Sequence, residues 1–311
     1  MDQVEKGITI VLTQRCNLNC KYCLRDNAFR INNLFDINEL KLILDISYKH
    51  GYSWILTTGG EPFIHPHIFD YLKYLSDLGL KTVIESNGIL INKAVLDQIT
   101  SLKKPSSFQF LISLDDYLPE KHDLLRGEGS FQKAVNAIKI IKNHGFYLHV
   151  NRVITPLTNI DKKEAFVKYL DFCDSLNIDS VHFSKVIDVE NKLHKYILST
   201  SNIIEIKHII STVEHKLLDH SDCESLWKYS TTDYCYKLAV GAISVSKNGI
   251  SPCTLLSDII VDNYGNLDEY LLKSKYKEFD QFRKITMQGN VENEFDCSTC
   301  GKLCRAKYTC I

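Results

Sequence analysis

Residues 8–23 read Ile-Thr-Ile-Val-Leu-Thr-Gln-Arg-Cys-Asn-Leu-Asn-Cys-Lys-Tyr-Cys, an apolar segment followed almost at once by three cysteines. Its first part, residues 8–12, has the apolar, β-branched composition of a buried strand. Cys16, Cys20 and Cys23 lie close enough in sequence to fold around one metal ion or cluster, and the intervening asparagines favour turns. The stretch therefore predicts a strand that ends in a metal-binding loop.

The chain as a whole has the composition of a soluble globular protein, except in cysteine. Its 311 residues include 37 Lys and Arg, 38 Asp and Glu and 44% hydrophobic residues, with a net charge of -1. These values exclude a disordered chain and give no electrostatic reason to expect a nucleic acid or membrane partner. The sequence has no signal peptide and no run near the ~18 apolar residues of a membrane helix. We therefore expect the 11 cysteines to serve metals or catalysis in a reducing cytoplasm.

Strand-like and helix-like segments alternate up to about residue 187. Segments typical of buried strands lie at 8–12, 54–57, 81–84, 108–114, 147–154 and 180–186. Helical periodicity lies between them at 36–49, 66–78, 130–144 and 161–176. Strands joined by helical crossovers predict a parallel α/β sheet. Periodicity alone does not separate an open doubly wound sheet from a partial barrel, but both gather functional residues at the carboxyl ends of strands.

Further motifs stand at the ends of other predicted strands. They are Thr58-Gly59-Gly60-Glu61-Pro62, Ser86-Asn87-Gly88, and Ser113-Leu114-Asp115 followed by His122-Asp123 and Arg126-Gly127. Together with the Cys-x3-Cys-x2-Cys spacing and Tyr22 before its last cysteine, these motifs make residues 7–190 resemble the radical S-adenosylmethionine (SAM) superfamily. The last stretch is similar to that of the peptide-modifying branch of the family. Asp116 stands where that branch usually has glycine, so we expect the turn there to differ.

The resemblance implies a partial (β/α)6 barrel and a 4Fe–4S cluster held by Cys16, Cys20 and Cys23. Three protein ligands leave one iron to bind the amino and carboxylate groups of SAM. In this family the cluster passes an electron to the sulfonium, and the resulting 5′-deoxyadenosyl radical abstracts a substrate hydrogen. The spacing by itself also fits a zinc site completed by a distant ligand such as His50 or His65.

The remaining motifs are expected to form the SAM site. The predicted SAM-binding residues are Gly59, Gly60, Glu61, Ser86, Asn87, Ser113 and Arg126. The resemblance implies that Gly60 and Glu61 hold the amino group of SAM, where glycine allows close approach of the backbone. Arg126 has a planar fork suited to the carboxylate of SAM. Taken singly, each motif would also fit an ordinary turn or an exposed cap.

A second group of cysteines lies beyond a domain boundary that we place near residue 220, which gives domains 1–220 and 221–311. We expect a helix over 203–218 and a β-hairpin around Asn248-Gly249. The predicted metal ligands are Cys235, Cys253, Cys297, Cys300, Cys304 and Cys310. By resemblance, this region is similar to the SPASM or twitch extensions of the family. Six thiols supply one auxiliary 4Fe–4S cluster, on Cys235, Cys253, Cys297 and Cys300, and an incomplete second one at most. A zinc ribbon is the alternative.

Two cysteines stand apart from both groups. Cys173 occupies an apolar helical position, which favours core packing. Cys223 lies near the expected domain junction, where it is either an ordinary thiol or the hydrogen donor to a substrate radical.

The resemblance implies an enzyme that cleaves SAM and modifies a ribosomally made peptide or protein by crosslinking, epimerisation or oxidation. An electron donor such as flavodoxin or ferredoxin is the implied partner. Cys16 follows so soon after Met1 that we expect no leader-peptide-binding domain ahead of it. The alternatives are a twitch-type dehydrogenase acting on an alcohol of a small metabolite and a non-enzymatic zinc-binding scaffold.

Overall fold

Eight strands form one sheet in the computed structural model, which describes residues 6–23, 34–158, 162–186, 193–218, 243–251 and 263–272. The strands are β1 (Lys6–Val11), β2 (Tyr52–Thr58), β3 (Lys81–Ser86), β4 (Phe108–Ser113), β5 (Tyr147–Ile154), β6 (Ser180–Lys185), β7 (Ile243–Ser246) and β8 (Gly249–Ser251). β1 to β6 pair in parallel, and β7 and β8 form an antiparallel hairpin. The six predicted strands and the predicted hairpin are therefore confirmed.

Helices make the crossovers between the parallel strands. They are α1 (Ile37–Lys49), α2 (Ile68–Leu78), α3 (Lys93–Thr100), α4 (Pro119–Arg126), α5 (Ser130–Asn143) and α6 (Lys163–Ser175), followed by α7 (Thr200–Thr212) and α8 (Leu267–Leu272). The four helices predicted between strands are confirmed. Helices α3 and α4 have 8 residues each, too few to show a clear apolar repeat. α7 ends before the predicted residue 218 because Val213 adopts an extended backbone and is buried in the core.

The order of the strands decides between the two predicted architectures. From one edge it runs β6-β5-β4-β3-β2-β1 before β7 and β8, so strands that are successive in the chain are neighbours in space. A doubly wound sheet would reverse its order at a switch point. Right-handed crossovers that all advance in the same direction place their helices on one face of the sheet. The fold is therefore that of a partial (β/α)6 barrel, and the doubly wound alternative is wrong.

The two faces of the sheet differ in polarity. Residues such as Ile84, Ile112 and Val150 are fully buried and belong to the core formed with the helices. Alternate positions along the same strands point the other way, and on β4 to β6 these are half-buried and largely polar. We call the latter the inner face of the barrel. It is a surface of the kind that binds ligands rather than one that packs against helices.

The C-terminal hairpin extends the sheet beside the first strand. Residues 243–246 pair in parallel with residues 8–11 of β1. Lys247 forms an ion pair with Glu39 of α1, and Asp268 of α8 pairs with Lys49 and His50. The predicted boundary near residue 220 lies outside the described residues. So do Cys223, Cys235, Cys253, Cys297, Cys300, Cys304 and Cys310. Among the helices in the described ranges, none combines the length and the apolar character that crossing a membrane requires.

Candidate active site

The N-terminal cysteines lie in a loop, residues 12–23, at the carboxyl end of β1. We call it the cysteine loop. Its three thiols are free of disulfides, and Cys16 and Cys20 are half-buried. Burial raises the pKa of Cys20 to about 11, with Arg126 opposing the rise and both neighbouring cysteines adding to it. The three sulfurs are therefore within electrostatic range of one another, although no three His, Cys, Asp or Glu side chains of the described residues are grouped so that they could hold a metal ion.

The two glycines after β2 make room for the cysteine loop. The Gly60 N–H donates to the Thr13 carbonyl over 2.7 Å, and the Glu61 N–H donates to the Arg15 carbonyl over 2.9 Å. A Cβ atom on Gly59 would stand 2.5 Å from the Thr13 oxygen, and one on Gly60 would stand 2.2 Å from the Arg15 oxygen. These contacts are possible only without a side chain. The close backbone approach predicted for Gly59 and Gly60 is thus made, in this structure, to the cysteine loop.

Glu61 is a fully buried carboxylate beside that contact. Its Oε1 accepts from the Ser86 hydroxyl over 2.8 Å and from the Phe63 N–H over 3.3 Å, and its Oε2 accepts from the Asn87 N–H over 2.9 Å. Burial raises the pKa of Glu61 to about 7, although the hydrogen bonds oppose that rise. No ion pair joins Glu61 to a Lys, Arg or His among the residues that the structure describes. The donors that hold this carboxylate within the described part of the chain are all neutral.

Asn87 links the end of β3 to the cysteine loop. Its side-chain amide donates to the Asn17 oxygen over 2.7 Å and approaches the Cys16 Sγ at 3.7 Å. The Leu18 N–H also donates to this sulfur, over 3.4 Å. Donors of this kind stabilise a thiolate, because they point partial positive charge at the sulfur.

Ser113 ends β4 at the same end of the sheet. Its side chain lies at a half-buried position of the inner face, in register with Asn151 of β5. The cysteine loop and the predicted residues Gly59, Gly60, Glu61, Ser86, Asn87 and Ser113 thus all stand at the carboxyl ends of β1 to β4.

Arg126 is tied to a carboxylate that the sequence interpretation did not single out. Its Nε and Nη2 donate to the two oxygens of Asp115 over 2.7 and 3.0 Å, and the pair is buried. Burial acts against both charges, but their attraction keeps the pKa of Asp115 low and that of Arg126 raised. The Val153 N–H and the Tyr22 hydroxyl also donate to Asp115, the latter over 2.5 Å. Asp115 and Tyr22 were named only as parts of two separate motifs and were given no role, because only folding brings them together.

The histidine and aspartate of the family stretch serve the local structure. The His122 Nδ1 accepts from the Asp115 N–H over 3.1 Å, and burial lowers the pKa of His122 to about 4, so its ring is neutral. Asp123 accepts from the N–H groups of Gly129 and Phe131 at the start of α5. Both residues therefore brace α4, the helix that carries Arg126.

Asp116 stands where the peptide-modifying branch of the family usually has glycine. In the structure it lies beside Arg152 of β5. The Asp116 Oδ2 lies 3.5 Å from the Arg152 Nη2, and both side chains are almost fully buried. The Asp116 Oδ1 accepts from the Leu118 N–H over 3.0 Å, which stabilises the turn before α4. Arg152 also stacks over the ring of Tyr169 at 4.0 Å. The turn that we expected to differ is therefore held by a buried ion pair.

The inner face below these residues carries a polar cluster that the sequence interpretation missed. The His149 Nδ1 lies 2.5 Å from the Ser180 hydroxyl and 3.2 Å from the His182 Nε2, and its Nε2 lies 3.2 Å from the Gln109 oxygen. Burial, followed by the neighbouring His182, lowers the pKa of His149 to about 4. Polar residues at alternate positions of β5 were the available signal, but the segment was interpreted as simply buried.

The two histidines considered as distant zinc ligands are engaged elsewhere. The His65 Nε2 bonds to the Phe35 carbonyl, and its Nδ1 accepts from the His67 N–H. The His50 Nε2 bonds to Asp268, and Cys173 is buried in the core as predicted. Neither histidine is arranged to join the cysteines around a single ion.

A barrel with a three-cysteine loop and a buried carboxylate at its strand ends is the arrangement that the resemblance to SAM-dependent iron–sulfur enzymes implies. The sequence profile of the radical SAM superfamily matches residues 10–170, slightly more than half of the chain. The chain belongs to the radical SAM superfamily.

Similar proteins of known activity fall into more than one group. The subtilosin biosynthesis protein AlbA of Bacillus subtilis is 26% identical over 278 residues, covering 83% of this chain and 58% of AlbA. GTP 3′,8-cyclase 1 of Mycobacterium tuberculosis is 25% identical over 210 residues, covering 64% of this chain and 56% of the cyclase. The chain thus spans somewhat more than half the length of these relatives.

A solved structure confirms the fold. SuiB of Streptococcus suis, crystallised with SAM, aligns with a TM-score of 0.68 at 18% identity, over 96% of this chain and 71% of SuiB. At this identity the likeness establishes the shared barrel and not a shared substrate.

Proposed function

We propose that this chain holds a 4Fe–4S cluster on Cys16, Cys20 and Cys23 and cleaves SAM there in order to modify a peptide or protein. The observation that carries the proposal is Glu61, a buried carboxyl group with no cationic partner among the described residues, held against the loop that carries the three cysteines. Ionisation of a buried carboxyl group of this kind is costly unless a cationic ligand pairs with it. The donor set fits the group by its chemistry, because cysteines are the usual ligands of iron–sulfur clusters and the Cys16 sulfur receives N–H donors from Leu18 and Asn87.

Each residue of the site has a defined task in this proposal. The cluster, when bound, supplies the electron that breaks a carbon–sulfur bond of SAM. Gly60 and Glu61 receive the N–H groups of the amino end of SAM. Arg126, whose Nη1 is not used by Asp115, donates to the carboxylate of SAM. Ser86 and Asn87 hold Glu61 in place.

Ser113 and the polar inner face then complete the binding site. Ser113 offers a hydroxyl to the nucleoside part of SAM. The inner face, with His149 and Gln109, lies deeper in the barrel and offers neutral donors and acceptors to the substrate. Neutral polar groups of this kind suit the amide groups of a peptide.

The match to AlbA supports a peptide substrate, because AlbA acts in biosynthesis of the bacteriocin subtilosin and matches most of this chain. SuiB, whose barrel this chain shares, has been crystallised with its precursor peptide SuiA. The candidate products are a crosslink, an epimerised residue or an oxidised side chain.

A small-molecule substrate is the second candidate, and the match to GTP 3′,8-cyclase 1 favours it. In that case we propose that the chain is a twitch-type dehydrogenase that oxidises an alcohol of a small metabolite.

The C-terminal cysteines are proposed as ligands of an auxiliary 4Fe–4S cluster, on Cys235, Cys253, Cys297 and Cys300. Cys304 and Cys310 are then alternative ligands or part of a second cluster. Cys223 is proposed as the hydrogen donor if the reaction is an epimerisation. Iron analysis distinguishes these cases, because one auxiliary cluster gives about eight irons per chain in total and two give about twelve.

The test of the SAM reaction uses anaerobically reconstituted, dithionite-reduced full-length protein. We expect the wild type to produce 5′-deoxyadenosine from SAM and a Cys16/Cys20/Cys23→Ala variant to produce none. Cys173→Ala, which removes a thiol buried in the core and outside the cysteine loop, is the matched control and should keep the activity. Equal production by the triple variant would refute the proposal, and a wild type that binds only zinc would favour the scaffold.

The substrate is tested by co-expression with short open reading frames that neighbour the gene, followed by mass spectrometry of the peptides. A crosslink or an oxidation removes two hydrogen atoms, and an epimerisation in heavy water introduces one deuterium. Peptides that remain unmodified, together with oxidation of a small alcohol, would favour the dehydrogenase.

A further inference from the structure

Tyr22 connects the cysteine loop to the buried ion pair between Asp115 and Arg126. It stands between Cys20 and Cys23 in the chain, and its side chain is almost fully buried. Its hydroxyl donates to the Asp115 Oδ2 over 2.5 Å, and the Arg126 guanidinium lies 5.5 Å from the centre of its ring. The Lys21 N–H also donates to the carbonyl of Leu125, over 2.8 Å. The last turn of the cysteine loop is thus fastened to the end of α4.

Asp115 is rigidly held at the centre of this arrangement. Its two oxygens together receive the fork of Arg126, the N–H of Val153 on β5 and the hydroxyl of Tyr22. Because the three donor residues come from three different elements, Asp115 fixes the cysteine loop, α4 and β5 relative to one another. A buried carboxylate that accepts from four donors is already ordered, so the elements it joins lose little further conformational freedom when a ligand binds.

We propose that Tyr22 is a positioning residue that sets the spacing between the cysteine loop and Arg126, and so tunes the affinity of the site for SAM. The proposal rests on the proposed function, in which SAM spans these two elements. The amino and carboxylate groups of SAM would lie at the metal on the loop. The carboxylate of SAM would also accept a hydrogen bond from Arg126. Without the Tyr22 hydroxyl, Arg126 keeps Asp115 and Lys21 keeps its backbone bond to Leu125, but the loop loses its side-chain hydrogen bond to the ion pair.

The test is Tyr22→Phe, which keeps the ring and removes only the hydroxyl. We expect its iron and sulfide content and its far-UV circular dichroism to match the wild type, because the cysteines and the packing remain. SAM should change the electron paramagnetic resonance spectrum of the reduced cluster only at roughly tenfold higher concentration, the equivalent of one hydrogen bond to a charged group. The KM for SAM in 5′-deoxyadenosine formation should rise by a similar factor, with kcat within about twofold.

Tyr74→Phe is the matched control, because the Tyr74 hydroxyl donates to the Asp45 carboxylate over 2.6 Å on the surface between α1 and α2. That variant should titrate with SAM as the wild type does. A Tyr22→Phe protein that also titrates like the wild type would refute the inference while leaving the proposed function intact. Loss of iron from Tyr22→Phe would refute it too, since Tyr22 would then act on the cluster ligands directly. A wild type whose cluster does not respond to SAM would refute the proposed function and this inference with it.

Discussion

Replacing Glu61 with Gln isolates the cost of ionising a carboxyl group inside the barrel. Burial raises the pKa of Glu61 from the ordinary value of 4.5 to about 7. Each unit of that rise corresponds to about 1.4 kcal/mol, so the ionised form is disfavoured in the folded protein by about 3 kcal/mol. Gln has the same shape and still offers an acceptor to Ser86 or Asn87, but it cannot ionise. One imperfect hydrogen bond costs the variant about 1 kcal/mol at every pH.

The contribution of Glu61 to the free energy of unfolding should only decrease as the pH rises. Between pH 4.5 and about 7 the unfolded chain carries an ionised glutamate, whereas the folded chain keeps Glu61 protonated. The folded state then binds more protons, so the free energy of unfolding of the wild type falls as the pH rises through this window. The contribution is complete below pH 4.5 and lost above about 7. The Glu61→Gln variant lacks this fall and should be more stable than the wild type by about 2 kcal/mol at pH 8.

Urea denaturation of the full-length, chelator-treated protein measures this difference across the pH range. The midpoint and slope of each transition give the free energy of unfolding, and titrating groups common to both proteins cancel in the comparison. Glu164→Gln on the exposed face of α6 is the matched control, and its stability should follow the wild type closely. Parallel curves for wild type and Glu61→Gln between pH 4.5 and 8 would refute the reasoning, because they would show that the carboxyl pays no burial cost.

Two further substitutions follow from the contacts around the site. Arg152→Met leaves Asp116 buried without its cation and should lower the free energy of unfolding by about 3–5 kcal/mol. Adding Asp116→Gly to that variant should recover most of the loss. If urea denaturation shows that Arg152→Met lowers the free energy of unfolding by less than about 1 kcal/mol, the pairing is contradicted. Gly60→Ala places a Cβ 2.2 Å from the Arg15 oxygen and must displace the cysteine loop. We expect reconstituted Gly60→Ala to hold less iron than the wild type, and an unchanged iron content with unchanged SAM binding would show that the contact is not needed.

Much of the fold could be predicted from local sequence. The strands of the barrel alternate with helices that end at glycine, and the segments from β4 to β6 were predicted to within one residue at each end. The local patterns did not give the order in which the strands pair in the sheet. The two architectures share one pattern of strands and helices, and they differ only in which strands pair. Hydrogen bonds such as those between β1 and β2, or β3 and β4, join residues far apart in the chain and leave no periodic trace.

The candidate site shows the same division. Cys16, Cys20 and Cys23 were recognisable because a metal site needs several ligands of one type within a short loop. Asp115 and Tyr22 were recognised as motif residues, but their contact was not predicted, because it is a 2.5 Å hydrogen bond across 93 positions of sequence. Arg126 was identified, but the sequence did not show that its Nε and Nη2 donate to Asp115.

The amino-acid sequence by itself determined the parallel α/β class, the metal-binding character of the N-terminal loop and the strand ends at which function gathers. Each follows from side-chain chemistry and from spacing along the chain, which are local properties. The partial barrel was expected only from the family resemblance, and the strand order of the tertiary structure confirmed it. Only the tertiary structure showed that Gly59 and Gly60 accommodate the cysteine loop and that Glu61 is buried with no cation beside it among the described residues. Those features depend on distances and burial between segments, and such quantities exist only once the strands have paired.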